Sequence, residues 1–210
     1  MTPKKDRGSV RPPHNFVGVS SAPAGLSHSP DTAAAPDPSA GSGRSASPAP
    51  TGTGARTGRT RILLTGMSAV GKSTLIGLLR ERGQAAVDLD EGYTTESVGI
   101  PGEVLWLEDR VRALLDGPED VLFVAGCASN QGGFHGDFDQ VVLLSAPPEV
   151  VRQRLRERDT NPFGKTAEQE AQVLADLAEV EPLLRRAADV EIVTTGAPEA
   201  ALARILELVP

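Results

Sequence analysis

Cysteine, histidine and aromatic residues are scarce in this chain of 210 residues, which has one Cys, three His, five Phe, one Tyr and one Trp. A single Cys excludes a disulfide framework, and with so few His it also excludes a Cys-based metal site. No apolar run reaches the roughly 18 residues that suggest a membrane-spanning helix. Lys4 and Lys5 are not followed by the apolar core of a signal peptide. We therefore expect a cytoplasmic protein that has no membrane partner.

Basic residues are outnumbered by acidic residues over most of the chain. Residues 61–210 hold 14 Lys and Arg against 25 Asp and Glu, a formal charge of −11. A domain with this balance does not attract nucleic acid by bulk electrostatics. We therefore expect no nucleic-acid partner.

Large apolar residues are sparse in the first 60 positions, of which 35 are Pro, Gly, Ser or Ala. Such a segment cannot bury enough apolar surface to offset the entropy of ordering it. The composition predicts a disordered, low-complexity tail over residues 1–59 and one domain over residues 60–210. Because the first 60 positions carry seven Lys and Arg against three Asp, a docking arm is an alternative to a merely solvated extension.

The most informative stretch begins with the apolar run Ile62-Leu63-Leu64 and continues as Gly-x-x-x-x-Gly-Lys-Ser. This pattern is typical of a strand, a phosphate-binding loop and a helix. Its two glycines let the backbone turn tightly and approach an anion. Lys72 can reach the β- and γ-phosphates, and Ser73 offers a hydroxyl to Mg²⁺. We predict that ATP is bound by Gly66, Met67, Ser68, Ala69, Val70, Gly71, Lys72, Ser73 and Thr74.

Strand-like and helix-like patterns alternate after this motif. Strands are predicted at 62–64, 85–87, 121–125, 141–144 and 190–193. Helices are predicted at about 72–83, 103–115, 147–158, from Thr166 onwards with a bend or restart at Pro182, and at 198–208, with a mobile polar loop over 126–133. Five strands joined by helices predict an α/β P-loop NTPase fold, in which a five-stranded parallel sheet has helices on both faces.

Two carboxylates, Asp88 and Asp90, follow the second predicted strand. They should lie at the same edge of the sheet as the phosphate loop, where folds of this kind place ligands. We expect Asp88 to support Mg²⁺ together with Ser73, and Asp90 to orient or deprotonate the acceptor hydroxyl. The alternative is an acidic turn that merely solvates the end of a strand.

Four arginines, at 152, 154, 156 and 158, lie on one predicted helix that leads into the loop Asp159 to Lys165. A spacing of two residues sends alternate members to different faces, so some of them should be plain surface charge. We expect Arg154 to stack on the adenine, and Arg158 to reach the γ-phosphate from a lid. Lys165 is an alternative for that second role.

Trp106, Cys127 and Ser129 carry weaker signals. A lone Trp is more often a core residue, although Trp106 lies off the apolar stripe of its predicted helix and could face a cleft. Cys127 and Ser129 follow a strand at the ligand edge, but no His and carboxylate arrangement marks either as a nucleophile. His14, His28 and His135 are too scattered to form a metal cluster.

The phosphate-loop motif, Asp88-Leu-Asp90 and the Arg-bearing segment after the fourth strand resemble the shikimate, gluconate and nucleoside-monophosphate kinase group. The resemblance spans residues 61–210. It implies a five-stranded parallel sheet, a helical substrate-binding region after the second strand, and a lid. It also implies ATP and Mg²⁺ as cofactors, with Lys72, Ser73 and Asp88 in their family roles.

The acceptor-side residues depart from the members of this group. Gly102-Glu103 to Trp106 looks like the Gly-Glu-x-x-Phe-Arg segment of shikimate kinases, but Leu107 stands where they have an acid-binding Arg. Gly126-Cys127-Ala128 replaces their triple glycine, and Val180-Glu-Pro182 lacks a second Arg. The chain also lacks the Asp-Gly-Phe-Pro-Arg type segment that nucleoside-monophosphate kinases carry after the third strand.

The sequence therefore predicts an ATP- and Mg²⁺-dependent kinase that phosphorylates a hydroxyl of a small molecule. Within residues 84–145, which should form the acceptor pocket, Arg110 and Arg112 are the only basic residues, against twelve carboxylates. This charge favours a neutral or cationic acceptor such as a nucleoside, polyol or aminated sugar. The alternatives are a nucleotide kinase of the adenylate or shikimate kinase type and an ATP-binding or hydrolysing switch without an acceptor. The oligomeric state is left open.

Overall fold

The computed structural model describes residues 58–100, 102–158 and 165–210. The predicted tail therefore lies outside the described residues, apart from Gly58 and Arg59, as do His14, His28 and most of the loop that follows Arg158. The described chain forms β1 (Thr60–Thr65), α1 (Lys72–Glu81), β2 (Ala85–Asp88), β3 (Thr94–Glu96), β4 (Val104–Trp106), α2 (Glu108–Leu115), β5 (Val121–Ala125), a 3₁₀ helix (Gln131–Asp137), β6 (Gln140–Ser145), α3 (Pro148–Glu157), α4 (Ala167–Ala187), β7 (Val190–Val193) and α5 (Pro198–Leu206).

The five predicted strands form one parallel sheet in the order β2-β5-β1-β6-β7. Near-continuous apolar runs build it, and Ile62, Leu63 and Leu64 of the central strand are fully buried. Helices α1 and α5 pack against each other, as do α3 and α4. Because the strands are parallel, their carboxyl ends all lie at the same edge of the sheet. The predicted fold class is confirmed. None of the helices in the described ranges is both long and apolar enough to cross a membrane.

The helix predicted over residues 103–115 is wrong in its first part. Residues Val104–Trp106 form β4, which pairs antiparallel with β3 in a separate two-stranded sheet, and only Glu108–Leu115 is helical. The side chain of Asn130 completes the edge of β4, since its Oδ1 accepts from the N–H of Trp106 at 2.9 Å and its Nδ2 donates to the carbonyl of Trp106 at 3.0 Å. These long-range bonds override the local helical periodicity.

Three other local predictions need correction. Helix α4 does not restart at Pro182 but runs unbroken over 21 residues, because buried Val180 and Leu184 on either side of the proline hold it against the core. The mobile polar loop predicted over residues 126–133 runs into the 3₁₀ helix, where Gln131 and Phe134 are buried. Helix α3 ends at Glu157, one residue before Arg158.

Arg61 is a buried cation that sequence patterns did not indicate. Its side chain is 0 % exposed. The guanidinium donates to the carbonyls of Leu115, Gly117 and Glu119 at 2.8, 2.9 and 2.8 Å, in the segment that connects α2 to β5. It thereby satisfies carbonyls that the end of a helix leaves without partners.

We expect Arg61→Met to destabilise the domain by about 3 kcal/mol or more, because several buried carbonyls would lose their donor at once. Urea unfolding followed by circular dichroism measures the change. Arg59→Met is the matched control, since Arg59 is exposed and makes one bond, to the carbonyl of Asp116. A loss below about 1 kcal/mol for Arg61→Met would contradict this assignment.

Candidate active site

The phosphate loop leaves the sheet at the end of β1 and enters α1 at Lys72. Gly66 passes so close to β6 that a Cβ there would lie 2.3 Å from the carbonyl oxygen of Leu144, and its φ is +147°. No other residue fits this position without moving the neighbouring strand. The Nζ of Lys72 donates to the carbonyls of Gly66 and Met67 at 2.7 and 2.9 Å, so the ammonium lies across the loop.

Ala69 adopts a left-handed conformation, with φ of 63°. For a residue with a Cβ this conformation costs on the order of 1 kcal/mol, and it persists only where surrounding contacts impose it. The sequence motif gave no sign of this strain, because the position is variable in the Gly-x-x-x-x-Gly-Lys-Ser pattern.

Ser73 and Asp88 come together as predicted for a magnesium site. The Oγ of Ser73 donates to Oδ2 of Asp88 at 2.7 Å, and Oδ1 of Asp88 accepts from the N–H of Asp90 at 3.2 Å. A hydroxyl and a carboxylate are the hard oxygen ligands that Mg²⁺ prefers. Within the described ranges, no group of three or more His, Cys, Asp or Glu could hold a metal ion.

Asp90 is half-buried beside the loop. Burial raises the pKa of its carboxyl group, the charges of Asp88 and Glu91 raise that pKa further, and Lys72 acts in the opposite direction. A carboxyl group with this environment is a stronger proton acceptor than an exposed one, as general-base chemistry requires.

A cleft of about 540 Å³ joins these groups. Ser68 to Thr74 line it, whereas Gly66 and Met67 do not, and the side chain of Met67 is buried in the core. The remaining lining residues are Leu75, Asp88, Asp90, Glu91, Arg154, Glu157, Arg158, Thr194, Gly196, Pro198 and Ala201.

Two of the four arginines of the series reach the cleft, and they are the two that were singled out, Arg154 and Arg158. Arg152 and Arg156 instead pair with Glu170, at 3.0 and 2.9 Å, as plain surface charges. Burial lowers the pKa of Arg158. Lys165 is exposed and donates to the carbonyl of Arg156 at 2.8 Å, so the structure does not place it with the cleft residues.

The stretch that runs from Thr194, just after β7, to Ala201, within α5, contributes to the cleft and was missed by sequence reasoning. It carries no motif. The signal that could have found it is topological, since β7 is parallel to the other strands and therefore ends at the same ligand-binding edge.

Comparisons with known proteins agree with this geometry. Residues 62–175 match the family model described as an AAA domain. The shikimate kinase of Halorhodospira halophila is 31 % identical over 160 residues, which cover 69 % of this chain and 90 % of that protein. The chain belongs to the P-loop small-molecule kinases that include the shikimate kinases. It is therefore an ATP-dependent phosphotransferase that acts on a hydroxyl of a small molecule.

Solved structures of this kinase family have the same fold. A shikimate kinase from Acinetobacter baumannii in complex with shikimate is 25 % identical, with a TM-score of 0.52 over 72 % of this chain and 93 % of that one. The shikimate kinase of Bacteroides thetaiotaomicron gives a TM-score of 0.51 at 18 % identity, over 71 % and 98 % of the two chains. The second similarity concerns the fold alone.

The chain between β2 and β5 holds both the β3–β4 hairpin and α2. The helical region expected after the second strand is therefore present as α2, whereas the hairpin before it was not predicted. Trp106 on this hairpin is 2 % exposed and packs edge-on against Phe134, with ring centroids 5.4 Å apart. It is thus a core residue, and the interpretation that it faces a cleft is wrong.

Cys127 follows β5 and lies close to the phosphate loop. Burial raises the pKa of its thiol, which lies beside the Thr65 hydroxyl and the backbone of Gly66. A raised pKa keeps the thiol protonated and weakly nucleophilic at neutral pH. This agrees with the absence of any nucleophile arrangement in the sequence around it.

We expect Asp90→Asn to raise the melting temperature at pH 7 while strongly lowering phosphoryl transfer. Because the pKa of Asp90 is raised on folding, its charged form disfavours the folded state, and removing the charge removes that cost. This stabilisation should shrink as the pH falls through the raised pKa of Asp90. It should vanish below the ordinary Asp pKa near 4, where the carboxyl group of Asp90 is protonated in both the folded and the unfolded protein.

Differential scanning fluorimetry between pH 3 and 8 measures this effect on Asp90→Asn. Glu96→Gln is the control, since Glu96 is exposed on β3 and does not line the cleft. A melting temperature for Asp90→Asn that is lower than the native value at pH 7 would contradict the assigned environment of Asp90.

Proposed function

We propose that this kinase transfers the γ-phosphate of ATP to a hydroxyl of a neutral or cationic small molecule. The observation that carries the proposal is the charge of the cleft. Its acceptor end holds the carboxylates of Asp88, Asp90 and Glu91. Neither basic residue of the segment 84–145 lines the cleft.

Both of those basic residues have other partners. Arg110 donates to the carbonyl of Gly92 at 2.7 Å. Arg112 forms an ion pair with Asp137 at 2.9 Å and lies over the ring of Phe134, 4.9 Å from its centroid. A phosphate or carboxylate acceptor would need such guanidinium groups free in the pocket, since burying an anion without partners costs several kcal/mol.

The nucleotide end of the cleft has the complementary charge. In this proposal the N–H groups of the phosphate loop and Lys72 hold the β- and γ-phosphates. The guanidinium of Arg154 uses its N–H groups for hydrogen bonds to Ala69 and Thr194. In this proposal its flat face stacks against the adenine. Arg158 follows α3 and reaches the γ-phosphate from the lid side.

Ser73 and Asp88 would hold magnesium, which supplies charge neutralisation to the phosphates when it is bound. Asp90 then orients the acceptor hydroxyl and takes its proton as the oxygen attacks the γ-phosphorus, and the bond from that phosphorus to the β–γ bridging oxygen breaks to release ADP. A displacement of this kind depends mainly on positioning and on the stabilisation of charge.

A second candidate is an anionic acceptor like the one bound by the Acinetobacter baumannii shikimate kinase. The 31 % identity with another shikimate kinase favours it. Against it, Leu107 stands at the position of the family's acid-binding Arg and serves here as the residue that precedes α2.

We expect Lys72→Met to abolish turnover and to leave the fold intact. Among the described residues, the ammonium donates hydrogen bonds to carbonyls of its own loop and to no core residue. The core therefore does not depend on it, whereas the transferring phosphate does. A coupled ADP-release assay measures turnover, and circular dichroism with thermal melting measures folding. Native activity in the variant would refute the proposed catalytic role.

A phosphotransfer screen with ATP and Mg²⁺ tests the acceptor class. We expect turnover with a nucleoside, polyol or aminated sugar, and none with nucleoside monophosphates or sugar acids, including shikimate. Lys72→Met is the inactive control. Leu107→Arg is the informative variant, because a guanidinium at this position should improve turnover of a carboxylate acceptor. Turnover of anions alone by the native protein would overturn the proposal and favour the second candidate.

A further inference from the structure

Thr194, the residue after β7, is a hydrogen-bonding junction between three parts of the fold. It is 7 % exposed. Its hydroxyl oxygen lies 2.8 Å from the carbonyl oxygen of Val70 in the phosphate loop and 3.1 Å from that of Ser145 at the end of β6, and its single proton is donated to Val70, the nearer of the two. The same hydroxyl accepts from Nη1 of Arg154 on α3 at 3.1 Å.

Arg154 extends this junction to the next carbonyl of the loop. Its Nη1 also donates to the carbonyl of Ala69 at 3.3 Å, and its Nη2 donates to the carbonyl of Thr194. Two consecutive carbonyls of the phosphate loop are therefore held from outside the loop by side chains of two other elements.

The direction of a carbonyl fixes the direction of the next N–H, because the peptide unit is planar and trans. When the carbonyls of Ala69 and Val70 point toward Arg154 and Thr194, the N–H groups of Val70 and Gly71 point the opposite way. The left-handed conformation of Ala69 at this point is unfavourable by itself, so it needs an external constraint.

We propose that Thr194 and Arg154 are positioning residues that aim the N–H groups of the phosphate loop at the polyphosphate chain of the nucleotide. The loop that they orient would bind the triphosphate of a nucleotide, whatever base that nucleotide carries. Neither Thr194 nor Arg154 needs to contact a phosphate. The inference rests on the proposed nucleotide site. It goes beyond that site by making phosphate affinity depend on a residue at the far edge of the sheet.

Binding of magnesium tripolyphosphate tests the inference, because this probe has no base and cannot contact the base end of the cleft. We expect Thr194→Val to weaken its binding about tenfold by isothermal titration calorimetry, as the carbonyl of Val70 loses its donor. The KM for ATP should rise by a similar factor while kcat changes less than about twofold. Thr194→Ser keeps the hydroxyl and should restore binding to within about twofold of the native value.

Ser145→Ala is the matched control, since this buried hydroxyl at the same edge of the sheet donates to Glu191 and not to the loop. It should bind the probe as the native protein does. Arg154→Lys is the second variant, and it keeps the test valid if Thr194→Val does not fold. It retains the positive charge but cannot bridge Ala69 and Thr194, so we expect a severalfold loss.

The outcomes separate this inference from the proposed function. Native affinity in Thr194→Val and Arg154→Lys would overturn the inference alone, and so would an equal loss in Ser145→Ala. If the native protein bound neither ATP nor tripolyphosphate, the nucleotide site itself would be overturned, and this inference with it.

Discussion

The close approach of Gly66 to the carbonyl of Leu144 is the constraint on which the active site depends. With no room for a Cβ, the chain leaves β1 pressed against the end of β6. This places the outer carbonyls of the loop within reach of Thr194, and the start of α1 beside Asp88. The residues proposed to hold magnesium and the N–H groups proposed to bind phosphate are therefore positioned by one contact between adjacent strands.

The β3–β4 hairpin is held in place differently, by one amide side chain together with a backbone hydrogen bond. The β3–β4 hairpin has only three residues in each strand, too few to be stable alone. It is fixed by the amide of Asn130 and by the N–H of Ser129, which donates to the carbonyl of Val104 at 3.1 Å. The hairpin precedes α2, so the helical region that the resemblance implies after the second strand is present here together with a small antiparallel sheet.

Much of the fold follows from local sequence patterns, because parallel strands are continuous apolar runs and the phosphate loop has a fixed spacing. The capping of α4 is an example, since Thr166 accepts from the N–H of Gln169 at 3.2 Å, as its sequence indicates. What could not be predicted depends on long-range contacts. The hairpin needs Asn130, which is 24 residues from Trp106. The burial of Arg61 needs carbonyls more than 50 residues away, and Thr194 reaches across 124 positions to Val70.

The burial of Trp106 has an optical consequence. It is the only tryptophan of the chain, and its side chain packs from β4 against Phe134 and does not line the cleft. Its indole fluorescence therefore originates from one known place on the hairpin. Undocking of the hairpin would bring water to the ring and shift the emission to the red, so the native protein carries its own reporter of hairpin movement.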